Sequence, residues 1–183
     1  LATPILSPPV PPPSLEDFLA HPQDYFEWVN GQLIETSDMT EDMGKFKLGL
    51  APLQKLFTDS GLGGDVYIET LCRTRQQARR PDLVYLTPDL FSQYSRATAL
   101  PQSFPLIAEI TSPDDSGEDL FMKAKEYLES GCQEVWLVFP ESLWVIVLTE
   151  AKHFLRSTGE EIETQTLLPG FRRSPSCLLE EPT

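Results

Sequence analysis

The segment Leu106-Ile107-Ala108-Glu109-Ile110-Thr111, bounded by Pro105 and Pro113, constrains this chain more than any other. A short, almost wholly apolar run between such breakers predicts a strand buried on both faces. A strand of that kind lies inside a sheet covered on either side by helices or further chain. One charged side chain interrupts the run. A carboxylate buried without a partner is costly, so Glu109 needs either a partner or a task.

The flanking sequence supplies elements that such a sheet requires. Ser14 predicts an N-cap for a short helix over 15–20, with Glu16 and Asp17 in its first turn and Pro22 barring a long continuation. Strand-like runs over 25–29 and 32–36 flank Asn30-Gly31, the strongest short-range hairpin signal. Phe46, Leu50, Leu53, Leu56 and Phe57 recur at helical spacing over 40–59, with a kink expected at Pro52 and an exit at Gly61. Alternation predicts strands over 65–72 and 82–86. The clearest helix spans 118–130: Leu120, Ala124, Tyr127 and Leu128 form one stripe, and Gly131 occupies the stop position. Strands over 134–139 and 143–148 follow across Pro140-Glu141-Ser142, with a further pair around 153–156 and 162–166. The order is that of one α/β domain, a central mixed β-sheet flanked by helices. The prolines at 4, 8, 9, 11, 12 and 13 predict an extended or disordered tail over 1–13, leaving 14–183 as the domain.

Size and charge narrow the function classes. A chain of 183 residues, 40% hydrophobic and 23% charged, suits one globular domain. No apolar run approaches the roughly 18 residues of a membrane span. The first residues show no basic stretch followed by an apolar one, so a secretory signal is not expected and a cytoplasmic location is. With 14 Lys+Arg against 28 Asp+Glu, the formal net charge is -14. Bulk neutralisation of phosphates is thereby excluded, and any contact with nucleic acid must rest on a local site. Cys72, Cys132 and Cys177 are scattered, which argues against a disulfide framework or a zinc knuckle. His21 and His153 are isolated, so catalysis would fall to carboxylates and lysine. Trp28, Trp136 and Trp144 are expected in the core.

Three features could carry chemistry together. Arg79-Arg80-Pro81-Asp82 opens one strand, Glu109 lies in the next, and Asp119 to Lys123 begins the amphipathic helix. Two carboxylates on neighbouring strands can share one hard cation through oxygen ligands, and they repel unless a cation or proton lies between them. A nearby lysine could orient water or stabilise an anionic transition state. Alternatively, Lys123 four residues after Asp119 makes an ordinary surface ion pair. Arg73, Arg75, Arg79 and Arg80 form the one basic cluster, able to clamp phosphates or merely to solubilise a connection.

These motifs, in order, resemble the Uma-two family of restriction endonucleases, a bacterial branch of the PD-(D/E)XK nuclease superfamily. The matching pieces are Asn30 to Glu35, Arg80 to Val84, Glu109 to Pro113, Asp119 to Tyr127, Gly131, Glu134 to Val138 and Leu168 to Phe171. The resemblance covers roughly residues 14–180. It implies a restriction-endonuclease-like core whose site comprises Glu35, Asp82, Glu109 and a lysine. The superfamily places that lysine two residues after Glu109, where this chain has Thr111; Lys123 on the following helix takes its place, with Lys125 the alternative. Met43 stands where many relatives carry a histidine.

The implied activity is metal-dependent phosphodiester hydrolysis, acting on DNA as an endonuclease. Asp82 and Glu109 would hold Mg²⁺ or Mn²⁺ with the carbonyl of Ile110, Lys123 would position the water, and Glu35 would assist. Arg79 and Arg80 are the expected phosphate contacts, and a homodimer is implied by relatives that cut two strands. The alternative is a catalytically degenerate binding or interaction module on the same fold, which the acidic balance, Thr111 and Met43 would suit. A glycosidase working with carboxylates alone is open on chemistry only.

Overall fold

The computed structural model describes residues 11–36, 61, 63–113, 115–165 and 167–175. The helix expected over 40–59, Met43, Cys177 and most of the proline-rich segment lie outside the described residues.

Helix α1 (Leu15–Ala20) starts where Ser14 accepts the backbone N–H of Asp17. Next come β1 (Phe26–Val29) and β2 (Gln32–Glu35), joined by Asn30 and Gly31 at φ 50 and 82. Both turn residues therefore take the left-handed conformation that Asn-Gly tolerates, and the two-residue turn sets the register Val29↔Gln32. β3 (Asp65–Ile68) follows. The run expected to continue to residue 72 breaks at Glu69, whose φ of 47 cannot propagate a strand. The chain re-enters extended structure as β4 (Cys72–Arg73) and β5 (Ala78–Arg79), then β6 (Leu83–Leu86).

Helix α2 (Pro88–Tyr94) is capped by Thr87 and carries no fully buried residue, so no apolar stripe announces it in the sequence. β7 (Leu106–Ile110), helix α3 (Gly117–Leu128) and β8 (Glu134–Phe139) form the central unit. β9 (Trp144–Leu148), β10 (His153–Arg156), β11 (Ile162–Glu163) and β12 (Arg172–Arg173) complete the order.

Among the described residues, the main sheet runs β10-β9-β8-β7-β6-β3. Only β7 and β8 pair in parallel, because α3 carries the chain back over the sheet between them. Every residue of β7 is buried, as the apolar run requires. Val84, Ile107, Val135 and Leu137 face Ala124 and Tyr127 of α3, while Leu83, Leu106, Ala108 and Trp136 pack under Ile162, Leu168 and Phe171. Trp144, expected in the core, is 46% exposed at the first position of β9, on the face it shares with Ile146 and Leu148. A smaller sheet, β2-β1-β5-β4, closes over α1 through Phe18, Leu71 and Ala78. The Trp28 indole N–H donates to the Pro13 carbonyl at 2.7 Å, so the end of the proline-rich segment is tied to β1.

Candidate active site

The register of β6 against β7 assembles the site. Leu83 pairs with Ala108 and Val84 with Ile107, so one step further Asp82 stands opposite Glu109. Directly opposed residues of an antiparallel pair share a face, here the face under α3. The Ile110 backbone N–H donates to Asp82 Oδ2 at 2.7 Å. Glu109 is buried, and its Oε1 accepts the Tyr127 hydroxyl at 2.7 Å and lies 3.1 Å from Lys123 Nζ. Lys123 and Tyr127 sit one helical turn apart on α3, so one face of the helix delivers both. The alternative ion pair of Lys123 with Asp119 is absent among the described residues; the lysine points inward.

A third acid joins the cluster, and it is Glu27. It is 4% exposed, with Oε1 3.6 Å from Lys123 Nζ and accepting the Arg80 backbone N–H at 2.8 Å. Its Oε2 accepts from Arg79 Nη1 at 3.0 Å. Arg79 continues to Glu126 of α3 at 2.7 Å, and Glu126 also accepts from Thr74 and Gln77. Sequence reasoning passes over Glu27, although the signal that singles out Glu109 is present: one carboxylate inside an apolar strand, between Phe26 and Trp28.

Glu35 lies elsewhere. It pairs with Phe26, so its side chain leaves the hairpin on the face opposite Glu27. It is exposed at the rim of the cleft and makes no hydrogen bond or ion pair with another described residue. Lys125 pairs with Glu129 at 3.7 Å, with its side chain 75% exposed.

Arg79 and Arg80, the expected phosphate contacts, turn their guanidinium groups into the protein. Arg79 spends its guanidinium on Glu126 and Glu27. Arg80 spends its own on the carbonyls of Phe26, Glu69 and Gln23. Both brace the hairpin against the strands behind it.

The electrostatics of the cluster are unbalanced. Burial and then the Glu109 charge push Asp82 well above the usual carboxylate range. Burial works against the charge on Lys123, but Glu109, Glu27 and Asp82 together outweigh it and raise its pKa. Burial, followed by Glu109 and Glu27, raises the Tyr127 phenol, so it stays a donor. Fully ionised, four carboxylates (Glu27, Asp82, Glu109, Glu126) surround two cations (Lys123, Arg79), a surplus of two negative charges.

The donor set suits a hard divalent ion. Glu109 Oε2 and Asp82 Oδ1 take no N–H donor among the described residues. No group of three or more His, Cys, Asp or Glu among those residues converges as a metal cage. Mg²⁺ needs none, since it binds through one or two carboxylates and keeps several waters. The pair opens on a cleft of about 940 Å³ whose walls include Glu27, Glu35, Arg75 and Lys123.

A family model named Uma2 and described as "Putative restriction endonuclease" matches residues 14–176. The chain belongs to the Uma2 family. The fold is also that of a crystal structure from Anabaena variabilis, titled a "putative nuclease belonging to DUF820". The two align with a TM-score of 0.78 at 17% identity, over 92% of this chain and 98% of that one. No curated protein matches. In this Uma2 chain the lysine reaches the carboxylates from α3. Thr111 donates its backbone N–H to the Val138 carbonyl at 2.8 Å. No helix among the described residues is long and apolar enough to cross a membrane.

Proposed function

We propose that this chain is a metal-dependent endonuclease hydrolysing DNA phosphodiester bonds, with Asp82 and Glu109 holding Mg²⁺, or Mn²⁺ in its place. The carrying observation is the opposition of Asp82 and Glu109 across β6 and β7, with Lys123 Nζ 3.1 Å from Glu109. Glu109 and Asp82 each commit one oxygen to protein donors and keep the other for the ion, which the Ile110 carbonyl would join. When bound, the ion supplies positive charge to the phosphate as the bond breaks and makes a water acidic enough to attack.

The remaining work falls to the chain itself. An ammonium has three N–H donors. Lys123 Nζ lies 3.1 Å from Glu109 and 3.6 Å from Glu27, which leaves an N–H to hold the attacking water or a phosphate oxygen in the cleft. Glu27 is a positioning residue: held by Arg79 and the Arg80 backbone, it fixes Lys123. Tyr127 fixes the rotamer of Glu109 in the same way.

The test is cleavage of supercoiled plasmid DNA by the purified chain. We expect nicking or linearisation with Mg²⁺ or Mn²⁺, arrest by EDTA, and loss of both cleavage and Mn²⁺ binding in Asp82→Asn and Glu109→Gln. Metal-dependent cleavage that survives Asp82→Asn would overturn the mechanism. No cleavage together with no Mn²⁺ binding by the parent would leave a binding module on the same fold.

A further inference from the structure

Of the four arginines around the β4–β5 ribbon, three have their guanidinium groups engaged inside the protein. Arg73 is bidentate on Glu16, at 2.9 and 2.7 Å. Arg79 is held by Glu126 and Glu27, and Arg80 by three carbonyls. Arg75 differs. It stands in the turn between β4 and β5, exposed, and its guanidinium meets no partner among the described residues.

The turn that carries Arg75 is fixed to the site. Its own backbone N–H donates to Ser130 Oγ at 3.1 Å, and that hydroxyl donates to the Glu126 carbonyl at 2.7 Å. Thr74 N–H donates to the Gln77 carbonyl at 2.8 Å, and the Thr74 hydroxyl to Glu126 Oε1 at 2.6 Å. Arg75 is thus an exposed charge on a hydrogen-bonded turn, lining the same cleft as Asp82 and Glu109. At the other end of α3 that cleft is lined by Asp115 and Asp119, which repel a phosphate. Among the lining cations, Arg79, Arg80 and Lys123 are engaged inside the protein, and Lys125 leans on Glu129.

We propose that Arg75 is a phosphate contact of this cleft outside the reacting centre, a residue through which an otherwise acidic protein holds a nucleic-acid backbone. The proposal rests on the nuclease reading and deepens it by naming a group that recognises substrate. The contact is to a phosphate oxygen, so it carries no sequence information.

The experiment measures binding of a fluorescein-labelled short DNA duplex in Ca²⁺, across about 50 to 200 mM salt, the range in which phosphate contacts are lost. We expect Arg75→Gln to flatten the slope of log affinity against log salt by about 0.9, one phosphate contact, equally for unrelated duplex sequences. Arg75→Lys should restore the slope. Arg96→Gln, an exposed arginine outside the cleft, should leave it unchanged, and all three variants should keep the parent's thermal midpoint. An unchanged slope in Arg75→Gln, or an equal loss in Arg96→Gln, overturns the assignment while the nuclease reading stands. A parent that binds no DNA removes both.

Discussion

Glu27→Gln, set beside Glu35→Gln, is the substitution pair that most sharply tests the geometry of the site. The Glu27 side chain is 6% exposed and meets three donors: Arg79 Nη1 at 3.0 Å, the Arg80 N–H at 2.8 Å and Lys123 Nζ at 3.6 Å. Glutamine keeps one acceptor oxygen and turns an amide NH₂ toward one of those donors. Breaking a buried ion pair by removing one partner costs about 3–5 kcal/mol. Arg79 retains Glu126 and Lys123 retains Glu109, so the lower end, about 3 kcal/mol, applies here. For a chain of this size that lowers the thermal midpoint by about 6 to 12 °C. Glu35 is exposed and unpaired among the described residues, so Glu35→Gln should stay within about 0.5 kcal/mol, or about 2 °C. Scanning calorimetry reads both midpoints, and plasmid cleavage reads the consequence. Turnover should fall in Glu27→Gln with Mn²⁺ binding retained, and should hold in Glu35→Gln. Equal midpoints for the two variants, or cleavage lost only in Glu35→Gln, would refute the reasoning.

Three further outcomes are expected. Lys123→Ala should cut the cleavage rate strongly without weakening Mn²⁺ binding by calorimetry, since it removes a competing cation from Glu109, whereas Lys125→Ala should be mild because its ammonium sits at Glu129. Tyr127→Phe deletes a buried hydrogen bond to a carboxylate, costing about 1.5–3 kcal/mol in urea unfolding and about tenfold in Mn²⁺ affinity as Glu109 loses its orientation. Glu134→Gln cannot satisfy both the Trp136 indole and the Gln165 N–H, and should cost about 1–3 kcal/mol. Burial raises the Glu134 carboxyl above 4.5, so its stabilising contribution is complete below that pH and is lost as pH climbs to the raised folded value. The stability gap between parent and Glu134→Gln should therefore narrow over that window, and a gap that widens would contradict the assignment.

Much of the fold is local chemistry and could be read directly. The Ser14 cap, the Asn30-Gly31 turn, the stripe of α3 and the apolar run of β7 each satisfy their own backbone and burial needs within a few residues, and each appears where expected. Asp82, Glu109 and Lys123 were legible for a related reason: a charge in or beside a buried strand, and a lysine on the helix that follows, must meet something.

What the tertiary structure decided is which face and which partner. Alternation says that Glu27 and Glu35 leave a two-residue hairpin on opposite faces, but not which face turns toward the sheet; the packing of β1 on β5 settles it for Glu27. The basic cluster reads as one patch along the chain. Only folding shows that Glu16, Glu27, Glu126 and three carbonyls, some of them more than 50 residues away, engage every arginine of that cluster but Arg75. Hydrogen-bond donors are spent in three dimensions, and a sequence displays their number without their destinations.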